Sequence, residues 1–245
     1  MKNTKLLGFK FQIVFILGII ILYSGCGLTK GLRAIKNKDV KTEHYTFNEK
    51  SIIFTPLAHF SQVEYYENLK DSIINWKKKG YMIFYEGIIH KATEMNVDSI
   101  VADRTMRKWR KITRGVGATR EDYAELSDVF KNAIVQPENE ELGIDSADVN
   151  ADITLLDLVS KYEDYYGKIH LDSCDFITSL DSTYACKKKL KGNLNPVILD
   201  YRNVQLVEKL VASEQKKIVV LYGARHIKGM KKLLKKEVTT STNVP

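Results

Sequence analysis

Residues 51–85 read SIIFTPLAHFSQVEYYENLKDSIINWKKKGYMIFY, and this stretch sets the fold class. Ser51-Ile52-Ile53-Phe54-Thr55 is a short apolar run, the pattern of a strand covered on both faces, as strands of parallel sheets are. Pro56-Leu57-Ala58-His59 supplies a turn. Over residues 62–79, Val63, Tyr66, Leu69, Ile73, Ile74 and Trp76 recur at helical spacing, which predicts an amphipathic helix stopped by Lys77, Lys78, Lys79 and Gly80. Tyr81-Met82-Ile83-Phe84-Tyr85 predicts a second strand. Strand, helix and strand in so short a stretch form a βαβ unit, a parallel pair with a right-handed crossover.

Toward the C-terminus the same layout returns. Residues 217–222, KIVVLY, predict a strand, 223–226, GARH, a turn, and 227–236 an amphipathic helix. Between the two units the spacing predicts helices over 98–112, 121–135, 153–166, 175–190 and 204–210, with a break at Asn193-Leu194-Asn195-Pro196. Arg104, Arg107, Lys108, Arg110 and Lys111 make the first of these a basic, solvated face, and the acidic run 137–148, PENEELGIDSAD, reads as a surface loop. The expected fold is α/β: a mainly parallel central sheet with βαβ units flanked by helices and a helical middle insertion. It forms a single domain over residues 50–238, followed by a frayed polar tail over 239–245.

At the other end, Lys2, Lys5 and Lys10 lead into the apolar run 11–23, FQIVFILGIIILY, a secretory h-region. Tyr23-Ser24-Gly25-Cys26 follows and resembles the lipobox of bacterial lipoproteins, with Tyr23 where an aliphatic residue is usual. The resemblance implies that Cys26 is lipidated and begins the mature chain. The competing reading is an uncleaved signal anchor over residues 6–28. On either reading residues 1–25 are address and residues 26–49 a basic tether. The domain then lies outside the cytoplasmic membrane, held to the cell membrane or the outer membrane by a lipid or an apolar segment.

Composition narrows the function classes. A chain of 245 residues, 44% hydrophobic and 28% charged, is long enough for one core and is neither a disulfide miniprotein nor a low-complexity polymer. The formal charge of +8 falls to +5 without the three leading lysines, and the excess is scattered in short clusters. That pattern argues against a nucleic-acid partner, which selects a basic stripe interleaved with aromatics. Apart from Cys26, the cysteines are Cys174 and Cys186, with no C-x-x-C spacing for a metal cluster; they either pair or remain thiols. There is no G-x-S-x-G, and Gly115-Val116-Gly117-Ala118 lacks the preceding strand and the lysine of a phosphate cradle. Tyr65-Tyr66 and Tyr165-Tyr166 fall on helical stretches and are expected in the core.

Chemistry concentrates at the strand ends. His59 and His226 each follow an apolar strand, and Glu86 ends YMIFYE. Open parallel sheets bind ligands beyond the carboxyl ends of their strands, where helix N-termini also point. Two imidazoles and a carboxylate converging there suit a divalent ion such as manganese, cobalt or zinc, which would activate a bound water. The remaining histidines are weaker candidates: His44 lies in the tether, His90 near the Glu86 strand, and His170 among Tyr165, Tyr166 and Asp172.

These residues resemble the TraB/GumN (Tiki-like) family over roughly residues 51–234. Gly223-Ala224-Arg225-His226 is similar to the family's second G-x-x-H element, FTPLAHFSQVEYY to its first, and FYEG to its strand-end glutamate. Asn150-Ala151-Asp152-Ile153-Thr154 is similar to its H-A-D-L/M-T element; Gln136 and Arg202-Asn203 match further positions. The resemblance implies an α/β fold with His59, Glu86 and His226 lining one site, and Asp152 and Arg202 supporting it. It implies a metal-dependent hydrolase, peptidase-like, acting on a peptide or protein. Pro56 stands where the family has glycine and Asn150 where it has histidine. Those departures favour the alternative, a non-catalytic lipoprotein that binds or inhibits a peptide or protein partner.

Overall fold

The computed structural model describes residues 38–113, 132–182, 184–186, 190 and 192–241. Its centre is a five-stranded sheet. β1 (Glu43–Phe47), β2 (Lys50–Leu57), β4 (Met82–Tyr85), β6 (Val149–Asn150) and β7 (Lys217–Gly223) lie in the order β1-β2-β7-β4-β6. β2, β7, β4 and β6 are parallel; β1 closes one edge antiparallel to β2. A second, two-stranded sheet pairs β3 (Phe60–Gln62) with β5 (Ala133–Val135).

The apolar runs are buried on both faces, as parallel pairing requires. On one face Ile52, Phe54, Ile218, Val220 and Tyr222 pack under α5 (Arg202–Ala212) and α6 (Ala224–Ser241), against Leu206, Leu210, Met230 and Leu234. On the other, Ile53, Leu57, Ile83, Val219 and Leu221 pack under α1 (Val63–Lys78), against Tyr65, Leu69, Ile73 and Trp76. Gly80, at φ 80°, closes α1: its N–H donates to Lys77 O and that of Tyr81 to Trp76 O. A third apolar cluster joins α2 (Ser99–Thr113), α3 (Leu155–Tyr166) and the π-helical turn Pro196–Tyr201 through Ile112, Leu158, Val159, Tyr162 and Val197.

Several elements differ from the sequence reading. β2 and β4 run parallel but are not neighbours, because β7 lies between them. The end of the polar stretch read as a tether forms β1, and α6 continues through residues read as the frayed tail. Of the helix read over 121–135, residues 121–131 lie outside the described residues, and Ala133–Val135 is a strand. Of the helix read over 175–190, α4 (Ser173–Ile177) forms with the capping box of Asp172 and Asp175, 178–182 and 184–186 are not helical, and 183 and 187–189 lie outside the described residues. Inside the acidic 137–148 loop, Leu142 and Ile144 are buried against α1. Tyr65 and Tyr66 are core residues as expected, whereas Tyr165 is 53% exposed.

The basic stretch is indeed a helix, α2, and Arg104 is exposed as expected, but the other four charges are held by partners. Lys111 is 1% exposed and pairs with Asp172 and Asp175, while Lys108 meets Glu163 at 2.6 Å. Arg107 donates to the carbonyls of Asp175 and Thr178, and Arg110 to those of Ser179 and Ser182. Cys174 and Cys186 form a disulfide in this same lobe. Its ring spans a sequence separation of 12, so the chain-entropy argument assigns it about 2–3 kcal/mol. A Cys174→Ser/Cys186→Ser double variant is expected to lose that much in urea unfolding; an unchanged midpoint would show that the lobe unfolds apart from the sheet.

Candidate functional site at the carboxyl edge of the sheet

The four parallel strands deliver their next polar residues to one edge. β4 ends directly before Glu86, β6 is followed by Asp152, β7 runs without a loop into α6, and β2 leads to His59. Because α6 begins at Ala224, the expected GARH turn is its first turn, and His226 is a helical residue held against the sheet. The π-helical turn hands over to α5 at Arg202, so the guanidinium points back under the same edge.

Arg202 is the hub. It is 4% exposed; its Nε donates to Asp152 Oδ1 at 2.9 Å, and its Nη2 to Asp152 Oδ2 and, at 2.7 Å, to Glu86 Oε1. This is the two-pronged pairing that a planar guanidinium makes with a carboxylate. Glu86 Oε2 accepts from the Gly223 N–H at the end of β7. A Cβ on Gly223 would stand 3.2 Å from that oxygen, so the strand end approaches Glu86 closely. Asp152 also accepts from the N–H groups of Gly87 and Ile153.

His226 stands beside this trio, with Nε2 3.8 Å from Glu86 Oε1 and 3.4 Å from Arg202 Nη1. Its Nδ1 lies 2.8 Å from Asn203 Oδ1, an acceptor, which assigns the ring proton to Nδ1 and makes Nε2 the acceptor of the long Arg202 Nη1 contact. Burial, with Arg202 alongside, pulls the imidazole below its ordinary value against the opposing influence of Glu86. It is therefore neutral at pH 7, and its approach to Glu86 is not an ion pair. For Glu86, burial alone would raise the carboxyl, but Arg202 and the Gly223 N–H hold it below the usual carboxylate range. Tyr222 is fully buried beside them, its ring 5.4 Å from that of His226 and 5.9 Å from Arg202 Cζ. Burial pushes its phenol upward, and its hydroxyl has no hydrogen-bond partner among the described residues.

His59 does not join the cluster. It is exposed, with Nδ1 3.1 Å from Gln136 Oε1, while the Gln136 N–H donates to its carbonyl. β2 continues past its end into β3, whose antiparallel pairing with β5 carries His59 to the start of the small second sheet. It shares the sheet edge with Glu86 and His226 without any contact described between them. His90 and His170 are likewise exposed, and His44 lies on β1. Asn150, at the position where the resemblance has histidine, is a clamp: its Nδ2 donates to Gly87 O and its Oδ1 accepts from the Asp152 N–H. Cys26 lies outside the described residues, and among those described no helix is long and apolar enough to cross a membrane.

The donor set does not suit an ion as arranged. A guanidinium, not open space, bridges Glu86 to His226, both Glu86 oxygens accept hydrogen bonds, and His59 is elsewhere. Among the described residues no three of His, Cys, Asp and Glu are placed to share a metal. What the cluster does offer is an ionised carboxylate, a fixed cation and a neutral imidazole of set tautomer.

Sequence reasoning named Glu86, Asp152, Arg202 and His226 as site residues, gave Asn203 only as the neighbour of Arg202 in the resemblance, and missed Tyr222. Asn203 had a signal: Arg202 and Asn203 occupy the same face of α5 as Leu206, Val207 and Leu210, and polar residues on an apolar stripe need buried partners. Gly229 makes room for Asn203, since a Cβ there would lie 2.3 Å from Asn203 Nδ2. Gly229→Ala is expected to push Asn203 off His226 and to cost about 1–3 kcal/mol. The imidazole titration by NMR should move in the same variant; a clean titration at the wild-type position would show that Asn203 does not hold the ring.

Compared with known protein families, curated proteins and solved structures, the chain matches none of them.

Proposed function

We propose that the chain is a membrane-tethered, extracytoplasmic hydrolase of peptidase type, with His226 as general base among Glu86, Arg202 and Tyr222. The observation that carries this reading is the neutral, orientation-locked imidazole 3.8 Å from an ionised carboxylate at the carboxyl edge of a parallel sheet. Neighbouring groups driven into different protonation states are how acid–base sites are built. The order of motifs resembling the TraB/GumN family supports a peptidase-type hydrolase, although that resemblance implies a metal-dependent one. The Cys174–Cys186 disulfide supports an oxidising compartment, as does the secretory pattern before Cys26.

In this scheme His226 Nε2 takes a proton from water, whose oxygen bonds to the substrate carbonyl carbon. Negative charge then grows on the carbonyl oxygen, where the Arg202 cation and the unspent Tyr222 O–H are the available stabilisers. The C–N bond breaks, and the leaving amine takes the proton back from His226. Asp152 and Asn203 hold Arg202 and His226 in place and do not touch substrate.

A mixed peptide library read by mass spectrometry tests this with wild type, Glu86→Gln and His226→Gln. Cleavage is expected to persist in EDTA and to fall about 100-fold or more in His226→Gln. The acid limb of kcat/KM is expected below 6.5, the ordinary imidazole value, because protonation of a base with a lowered pKa inactivates only at lower pH. Cleavage lost to EDTA and restored by manganese, cobalt or zinc would return the metal-dependent reading. If wild type cleaves nothing under any of these conditions, the second reading takes over: a non-catalytic protein that binds or inhibits a peptide or protein partner. That reading is favoured by the near-complete burial of Asp152 and Arg202 and by the separation of His59.

A further inference from the structure

α6 begins where β7 ends, and a groove of about 510 Å³ begins with it. Gly223 closes β7 with its N–H on Glu86, and the next residue, Ala224, already lines the groove. Ile227, Lys228, Lys231 and Lys232 continue the lining along one face of the helix, with Glu43 of β1 across from them. Glu43 is opposite Phe54, in the half of β2 nearer its carboxyl end, so the groove and the Glu86–His226 edge lie toward the same end of the sheet.

Glu43 neutralises Lys231. Lys228 and Lys232 are exposed, and among the described residues neither has an acidic partner. Nothing in the Glu86–Arg202–His226 cluster uses these charges. The two lysines stand one helical turn apart, about 6 Å at Cβ. In an extended chain the side chains of alternate residues share one face about 7 Å apart, so carboxylates at alternate positions meet both lysines together. Ile227, 7% exposed, floors the groove with apolar surface for the methylenes of such side chains. From Ala224 to Lys232 the helix rises about 12 Å, room for three or four extended residues.

We propose that the α6 groove holds an acidic, extended segment of the substrate peptide while the bond to be cut lies at the Glu86–His226 edge. The inference rests on the hydrolase reading above and adds to it a substrate class. Carboxylates are required at alternate positions, the first about two residues from the cut, because Lys228 stands about 7 Å along α6 from Gly223. An anionic bilayer offers a plane, which would touch the lysines without filling a trough beside a strand. The basic N-terminal stretch arrives on the other face of the sheet, where Lys38 pairs with Glu64 of α1 and its carbonyl accepts from Asn68.

The test uses the full chain and two fluorescein-labelled peptides, one of Glu-Ala and one of Gln-Ala repeats, with binding read by anisotropy. Wild type is expected to bind the Glu peptide about fivefold or more tighter than the Gln peptide, and the difference should shrink at high salt. Lys228→Gln/Lys232→Gln and Lys228→Glu/Lys232→Glu should each abolish the preference at a wild-type urea midpoint, whereas Lys70→Glu, at an exposed position on α1, should keep it. Cleavage sites in a mixed library should carry Asp or Glu about two and four residues from the cut, on one side only. Equal affinity for the two peptides, or a preference that survives Lys228→Glu/Lys232→Glu, overturns the proposal. Binding to phosphatidylglycerol vesicles that the same variant loses would then give the groove to a lipid surface. Binding of the Glu peptide by a wild type that cleaves nothing would strike the hydrolase reading and leave the groove as the binding face of a non-catalytic protein. Cleavage without an acidic preference would do the reverse.

Discussion

Arg202→Met is expected to lower the unfolding free energy by about 3–5 kcal/mol, the cost of leaving a buried charge without its partner. Methionine reaches about as far as the arginine Nε and so replaces the aliphatic stem, which leaves the loss of the guanidinium as the main change. Its removal strips Asp152, 1% exposed, of its two-pronged partner and Glu86 of one of its two strong donors. Backbone N–H groups of Gly87, Ile153 and Gly223 remain on the carboxylates, but they carry no net charge. Arg202→Lys keeps the charge and loses the fork, and should fall between the two. The decisive control neutralises what the arginine neutralised. Arg202→Met with Asp152→Asn and Glu86→Gln should regain a large part of the loss, because buried neutral amides cost less than buried unpaired carboxylates. Urea midpoints at constant slope measure all three. A loss below about 1 kcal/mol would place Arg202 with ordinary surface pairs and remove the hub from the site.

How far the sequence could reach follows from which contacts are local. Ile52, Phe54, Val219 and Leu221 announce buried strands because each strand fills both faces by itself, and α1 is legible because its apolar stripe and its glycine stop lie within one segment. The strand-end rule then finds Glu86 and His226, since it depends only on where a strand stops. It fails at His59 because β2 runs on into β3, and what recruits β3 is β5, more than seventy residues away. For the same reason the βαβ reading is right in direction and wrong in adjacency: β7, from the far end of the chain, inserts between β2 and β4. Lys108 and Lys111 look solvated when α2 is read alone, because their acceptors lie at 163, 172 and 175; Arg107 has a local partner in Asp103, but its further acceptors at 175 and 178 are equally out of reach of any local pattern. Asn150 shows the reverse error. Read against a family pattern it looks like a lost ligand, whereas here it closes the gap between Gly87 and Asp152.

Lys111→Met is expected to be the second large effect, about 3 kcal/mol, with a different footprint. Lys111 is 1% exposed and Asp175 2%, so the pair resembles the Arg202 hub in burial. It is less exacting in one respect: Asp175 keeps the Asp172 N–H and the Tyr184 O–H, and Asp172 is half in water, which places the loss at the lower end of the range for broken buried pairs. The charge that remains is next to Cys174, so the disulfide holds the destabilised segment in register even when its ion pair is gone. The variant should therefore open locally, with faster amide exchange over 172–186 and little change in β2 and β7. Reducing the disulfide in the same variant should cost less than in wild type, because the lobe is already partly released and the two contacts report on one cooperative unit. Lys111→Met/Asp175→Asn should restore slow exchange, since it removes the stranded charge rather than the geometry. Uniformly faster exchange across the central sheet in Lys111→Met would mean that the lobe and the carboxyl edge of the sheet unfold together, and that the lysine supports the Arg202 cluster as well as its own acids.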